Sequence, residues 1–213
     1  MAKATGDPNV KSKVVSIKKY ERIAVLSLEN SLRLHFDSIL LHNNKSYPSA
    51  FQLSVLALEE FGKSRALEDL IWNLRTHGNK RDPVFERKFI ETMYNHPRKQ
   101  LASIARESYN FSKKYLEFIE QRGLEEKKQK AVYVGPGINR GKTNLSGRVS
   151  YPNLIKSIDA NQQISLLNDI YKEIALRLAV QKRYFDIKKM DDLFGNPLTY
   201  RLKKWPHKSK IKF

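Results

Sequence analysis

Tyr47-Pro48-Ser49-Ala50-Phe51-Gln52-Leu53-Ser54-Val55-Leu56-Ala57-Leu58-Glu59-Glu60-Phe61-Gly62-Lys63 is an apolar run that turns abruptly charged. From Ala50 to Leu58 only Gln52 and Ser54 interrupt it, the composition of a helix packed on several faces at once. Stepping in helical intervals, Leu53, Leu56, Glu60, Lys63 and Leu67 fall on one stripe, so two ionisable groups continue a row expected to face protein. Charges in such places need a partner or a task. The same spacing also allows an ordinary ion pair from Glu59 or Glu60 to Lys63. Gly62 sits inside the pattern, where glycine costs roughly 1 kcal/mol relative to alanine, so another backbone is expected to approach closely there.

Outward from this stretch the chain reads as helical. Ser46 and Pro48 give a helix start, a capping hydroxyl followed by a proline whose missing amide hydrogen costs nothing in the first turn. The helix is expected to run through Ile71-Trp72-Asn73-Leu74 and stop at His77-Gly78-Asn79. Before it, Tyr20, Ala24, Leu28, Leu32 and Phe36 recur at helical spacing, predicting a helix over 17–41, antiparallel to the next across a short loop. After Asp82-Pro83, Phe85, Phe89 and Met93 predict a third helix over 84–94. Pro97 either kinks that helix or begins a new one. A further helix is expected over 101–119, and a last long one over 161–185. Ala131-Val132-Tyr133-Val134 is the one hint of a short β element. The expected fold class is all-α, a helical bundle with a basic Gly-rich loop insertion. Residues 1–14 are expected to form a flexible basic arm, 15–190 the helical domain with its insertion at 127–152, and 191–213 a basic C-terminal tail.

The 213 residues carry 40 Lys+Arg against 22 Asp+Glu, a formal net charge of +18 that favours a polyanionic partner such as RNA or DNA. There is no cysteine, which excludes a disulfide framework and a thiolate metal site. The N-terminus is polar, without the apolar core of a signal peptide, and no stretch has the length of a membrane span. A cytoplasmic location and no membrane contact are therefore expected. Gly135-Pro136-Gly137-Ile138-Asn139-Arg140-Gly141-Lys142-Thr143 imitates a phosphate-binding loop, but its interval is one residue too long from Gly135 and one too short from Gly137. It is expected to be a mobile surface loop.

The histidines His35, His42, His77, His96 and His207 show no metal-ligand spacing. His96 differs by its neighbours. With Arg98 and Lys99 just beyond it, a titratable imidazole lies beside fixed cations. Such a set suits a phosphodiester, with the imidazole moving a proton while the cations stabilise phosphoryl charge. An ordinary loop histidine before a helix-starting proline has the same appearance. The tail places Lys203 and Lys204 beside Trp205 in a strongly basic run, a second candidate contact for RNA.

Ser31-Leu32-Arg33-Leu34-His35-Phe36-Asp37-Ser38, Tyr47-Pro48-Ser49-Ala50, Ala57-Leu58-Glu59-Glu60-Phe61-Gly62-Lys63, the His96 to Lys99 segment and Lys130-Ala131-Val132-Tyr133-Val134 together resemble the AbiV abortive-infection family of bacterial anti-phage proteins, over residues 20–155. That family resembles a branch of the HEPN superfamily of helical bundles, usually dimeric, many of them metal-independent endoribonucleases. The resemblance implies a homodimeric toxin without cofactor or metal that shuts down host translation during phage infection, with RNA as target and a phage-encoded protein as activator. It implies catalytic roles for Glu60, Lys63, His96 and Lys99. His96 would act on the ribose 2′-hydroxyl, Lys63 and Lys99 would stabilise the phosphorane, and Glu60 would orient one of them; Arg98, Lys203 and Lys204 are expected RNA contacts on charge alone. The alternative is a non-enzymatic inhibitor of translation that binds RNA or ribosomes through its basic surface. The superfamily's Arg-to-His signature is absent from the expected core helices; Arg201 and His207 have comparable spacing in the tail.

Overall fold

The computed structural model describes residues 15–76, 81–104, 112–139 and 142–210. Three long helices form its centre: α1 (Ile17–Asn43), α2 (Tyr47–Thr76) and α7 (Ser157–Gln181). Ser16 caps α1 by accepting from the Lys19 amide. Lys45, at φ 61°, reverses the chain between α1 and α2, its amide donating back to the His42 carbonyl at 2.9 Å. The two helices lie close because their facing residues are small. The Ser64 hydroxyl donates to the Ala24 carbonyl at 2.8 Å, and Ser31 donates to the Ala57 carbonyl. Tyr20, Leu28, Val55, Leu58, Ile71, Ile164, Leu167 and Tyr171 fill the core between the three helices.

Shorter helices dress this centre: α3 (Pro83–Thr92), α4 (His96–Ile104), α5 (Lys113–Glu120) and α6 (Gly123–Lys130). The Asp82 carboxylate caps α3, with Pro83 in the first turn. Tyr20 donates to Glu86 at 2.8 Å, which ties α3 to α1. Pro97 begins a helix and does not kink one. Asn95 accepts from the Arg98 amide through its side chain and from the Lys99 amide through its carbonyl, so α4 starts at His96. The helix expected over 101–119 is divided: α4 already covers its beginning, α5 its end, and residues 105–111 lie outside the described part, as does the expected arm at 1–14.

Three expectations are corrected. The β element is displaced from 131–134 to the antiparallel pair β1 (Gly135–Asn139) and β2 (Lys142–Ser150), because Ala131 and Val132 close the end of α6 in a turn. The sequence expected to be a mobile surface loop is therefore a hairpin, with a register irregularity between Pro136 and Gly137. The stripe of Leu53, Leu56, Glu60, Lys63 and Leu67 does face protein, but only Leu67 is fully buried, while Leu53 and Leu56 pack half-buried against the core and Glu60 and Lys63 are half-buried. The segment expected to be a basic tail is packed over its described residues, 191–210. It forms α8 (Lys188–Asp192) and α9 (Asn196–Lys203), and Met190, Phe194, Leu202 and Trp205 are buried in the main core. The Trp205 indole donates to the Ser165 hydroxyl on α7 at 2.9 Å. The lysines and arginines between these apolar residues keep their charged heads in water, which hides the apolar positions in the composition. Among the described residues no helix is long and apolar enough to cross a membrane.

Candidate functional site

Gly62 decides where α4 sits. A Cβ built on it would lie 1.9 Å from the Lys99 carbonyl oxygen and 2.9 Å from the Ser103 amide nitrogen, so only glycine lets the α4 backbone rest on α2 here. This contact, together with the Asn95 cap, delivers the first turn of α4 onto Glu59, one turn before Gly62 on the same face. From the other side α6 delivers Glu125 and Lys128.

The result is a buried polar cluster centred on Glu59, which is 1% exposed. Its Oε2 accepts from His96 Nδ1 at 2.6 Å and lies 3.5 Å from Lys99 Nζ. Its Oε1 accepts from Gln100 Nε2 at 2.9 Å and from Lys128 Nζ at 2.8 Å. Lys128 also reaches Glu125 Oε2 at 2.7 Å, so its ammonium bridges two carboxylates. Burial by itself pushes the Glu59 carboxyl up. The Lys128 charge and the hydrogen bonds from Lys128, Gln100 and His96 outweigh it and hold the group below its ordinary value, as a carboxylate.

A carboxylate only accepts, so Nδ1 of His96 must carry the hydrogen of that bond. In the neutral ring this leaves the lone pair on Nε2. The imidazole is 46% exposed while its anchor is buried. The arrangement can therefore present a fixed proton acceptor to solvent, with Lys99 beside it.

Of the residues singled out in the sequence, His96 and Lys99 meet in this cluster. Glu60 and Lys63 instead bond one another, Nζ to Oε1 at 2.8 Å, in a half-buried pair on the margin of α2. Arg98 is exposed on α4, one residue before Lys99. Lys203 and Lys204 are exposed at the end of α9, with the Lys204 ammonium 4.5 Å above the Tyr200 ring. Arg201 and His207 go elsewhere: the guanidinium lies 3.6 Å over the Phe36 ring and the imidazole meets Trp205 edge to face at 4.8 Å. Sequence reasoning missed Glu59, Gln100, Glu125 and Lys128. Gly62 was the available signal for Glu59, because residues three apart on a helix share a face. Nothing marked α6, whose Glu-Glu-Lys-Lys-Gln-Lys reads as a solvated surface.

Glu59, His96 and Glu125 offer ligand atoms within 4.8 Å of one another, close enough to hold a cation. Lys128 already stands between the two carboxylates, so a metal ion there would compete with a fixed ammonium.

The fold and site together define an all-α, HEPN-like bundle that carries a buried acid-histidine-lysine cluster where α2, α4 and α6 meet. The family model HEPN_AbiV, described as AbiV, matches residues 19–172, and the chain belongs to that family. Membership places the protein in abortive-infection defence. No curated protein and no solved structure matches the chain.

Proposed function

We propose that the protein is the toxin of its defence system, a metal-independent endoribonuclease that stops host translation during phage infection. The observation that carries this reading is the 2.6 Å bond from His96 Nδ1 to buried Glu59, which fixes the tautomer of a half-exposed imidazole. His96 Nε2 takes the proton of a ribose 2′-hydroxyl. The 2′-oxygen attacks the adjacent phosphorus, the bond to the 5′-oxygen breaks, and the departing oxygen takes a proton from the imidazolium or from water. The products are a 2′,3′-cyclic phosphate and a 5′-hydroxyl. Lys99 stabilises the negative charge that gathers on the phosphoryl oxygens, and Lys63 adds to that field from the next turn of α2. Glu59 orients His96 and Lys99, and Glu60 orients Lys63.

RNA is the proposed partner on charge. Residues 131–158 hold Arg140, Lys142, Arg148 and Lys156 and no acidic residue, and this segment leaves the bundle directly after α6, which supplies Lys128 to the cluster. Arg98 lies on the same turn as the catalytic pair. Homodimerisation and release by a phage-encoded protein complete the proposal and rest on the family alone.

One observation favours a second reading. Glu59, Gln100, Lys128 and Glu125 bond one another and join three helices, which is how a structural network is built. In that case toxicity comes from RNA or ribosome binding through the basic surface. Expressing the wild type, His96→Ala and Lys99→Ala in the native host separates the two. The catalytic reading expects both variants to be harmless yet folded, whereas full growth arrest by both would leave only the binding reading.

A further inference from the structure

Two concavities, of about 980 and about 550 Å³, share Glu29 and lie end to end along one face of α1. Together they reach from Lys18 to Asp37, nineteen residues apart on α1, which makes a groove roughly 28 Å long. Lys18, Arg22, Val25, Glu29, Leu32 and Phe36 enter it in steps of three and four, so it follows a single helical face. Residues 182–201 form the facing wall. Val25, Leu26 and Ile187 floor the first half, where Leu26 is 51% exposed, and Phe36, Leu193 and Leu198 floor the second. No member of the Glu59 cluster lines it. Arg75, its contribution from α2, lies sixteen residues past Glu59, roughly 24 Å along the helix axis.

The two halves differ in charge. In the first, the acids are engaged: Glu21 holds Arg75, Asp186 pairs with Arg183, and Asp191 accepts from the Tyr184 and Phe185 amides. Its cations Lys18, Arg22, Lys182, Lys188 and Lys189 are exposed and form no side-chain ion pair among the described residues. In the second half the cations are the engaged groups, since Arg33 bonds Asp37 and Arg201 lies over Phe36. Glu29 and Asp192 are exposed there and have no side-chain partner among the described residues.

We infer that this groove is the docking site for an amphipathic helix of a partner protein, about five turns long, acidic over the first half and basic over the second. An apolar stripe on such a helix meets the floor at intervals of three and four residues, the way helices seat in grooves. Its carboxylates face the five unpaired cations, and its ammonium or guanidinium groups face Glu29 and Asp192. The opposed charges fix one direction of docking and reject the reverse one. A nucleic-acid strand laid along the groove would bring its phosphates against Glu29 and Asp192. A second copy of the same face would bring like cations together. The inference does not depend on the chemistry proposed at His96.

The probe is a fluorescent synthetic helical peptide of about 20 residues, with a leucine stripe, a glutamate-rich first half and a lysine-rich second half. It is titrated into the purified full chain beside two peptides of the same composition, one with the charge order reversed and one scrambled to remove the stripe. The first peptide is expected to bind at least about tenfold tighter than either control. Leu26→Glu, and separately Lys18→Glu with Lys188→Glu, are expected to weaken it at least about tenfold. Lys113→Glu with Lys114→Glu makes the same charge change on α5 and is expected to cost less than about threefold. His96→Ala is expected to leave this binding unchanged whatever it does to toxicity. Controls that bind as tightly as the first peptide, or equal losses from the groove and α5 variants, overturn the inference. It is also overturned by an oligoribonucleotide that displaces the peptide and loses as much affinity in the groove variants, which assigns the groove to nucleic acid. Self-association that Leu26→Glu abolishes in analytical ultracentrifugation overturns it as well, by assigning the groove to a second copy.

Discussion

Two neighbouring carboxylates on α2 have opposite surroundings, and stability measurements should separate them. Removing Glu59 takes from buried Lys99 the carboxylate 3.5 Å away and leaves buried Lys128 with Glu125. Breaking a buried network in this way costs roughly 3–5 kcal/mol, whereas Glu60→Ala, which undoes a half-buried i,i+3 pair, should cost less than about 1 kcal/mol. Denaturant unfolding of Glu59→Ala and Glu60→Ala measures both, and equal costs would contradict the geometry. A third group gives a pH signature. His35 is fully buried, its Nε2 is 3.1 Å from Asn168 Oδ1, and its Nδ1 has no partner among the described residues. Burial lowers it from 6.5 to about 4, with only the Asn168 bond opposing. The unfolded chain therefore binds a proton that the native state refuses. Stability is full above pH 6.5 and falls as the pH drops toward 4, by up to about 3 kcal/mol. Glu59, held below its ordinary 4.5, withdraws its own contribution as the pH falls from 4.5 through its lower native value. Unfolding midpoints across this range should slope less in His35→Leu than in the wild type. Periodicity could not rank Glu59 over Glu60, because on a helix buried nearly all round both positions continue a plausible stripe.

At the scale of elements, α2 against α4 is the joint on which the site depends, and Gly62→Ala tests it with two effects of opposite sign. Helix propensity alone would have the substitution stabilise by roughly 1 kcal/mol. The added methyl, however, meets α4 backbone at 1.9 Å, and overpacking against backbone costs more than propensity returns, typically 1–3 kcal/mol or beyond. A net loss of at least about 1 kcal/mol is expected in chemical denaturation, together with a changed His96 imidazole resonance by NMR. A net gain would mean that the two helices do not touch there. Elements held by local signals were legible in the sequence: α1, α2 and α7 by long apolar periodicity, α3 by Asp82-Pro83, and the approach at Gly62 by its cost in a helix. The hairpin was not, since Gly135–Ser150 has neither strand propensity nor an alternating pattern, and its pairing is a long-range fact. Nor was α6, whose burial of Glu125 and Lys128 depends on α2, from which it is separated in sequence by three helices.

For the whole molecule, the C-terminal basic run changes meaning once its apolar residues are located. Phe194, Leu202 and Trp205 lie in the main core, and each such side chain contributes roughly 1.5–3 kcal/mol by its burial. Deleting residues 191–213 should therefore remove most or all of a marginal folding free energy, which is of order 5–15 kcal/mol. Circular dichroism and limited proteolysis should show a largely unfolded chain. A truncated protein melting like the full one would return the segment to the status of a tail. The net charge of +18 was legible from composition and belongs to this scale, but it names a class of partner and no chemistry. The chemistry rests on one hydrogen bond between α2 and α4. The direct test incubates purified protein, in excess chelator, with an RNA substrate and with the same strand carrying a 2′-deoxy group at each cleaved position. The account predicts fragments ending in 2′,3′-cyclic phosphate and 5′-hydroxyl, no cleavage at 2′-deoxy positions, and a loss of at least about a hundredfold in His96→Ala. Cleavage that needs a metal ion, or that survives in folded His96→Ala, would contradict it.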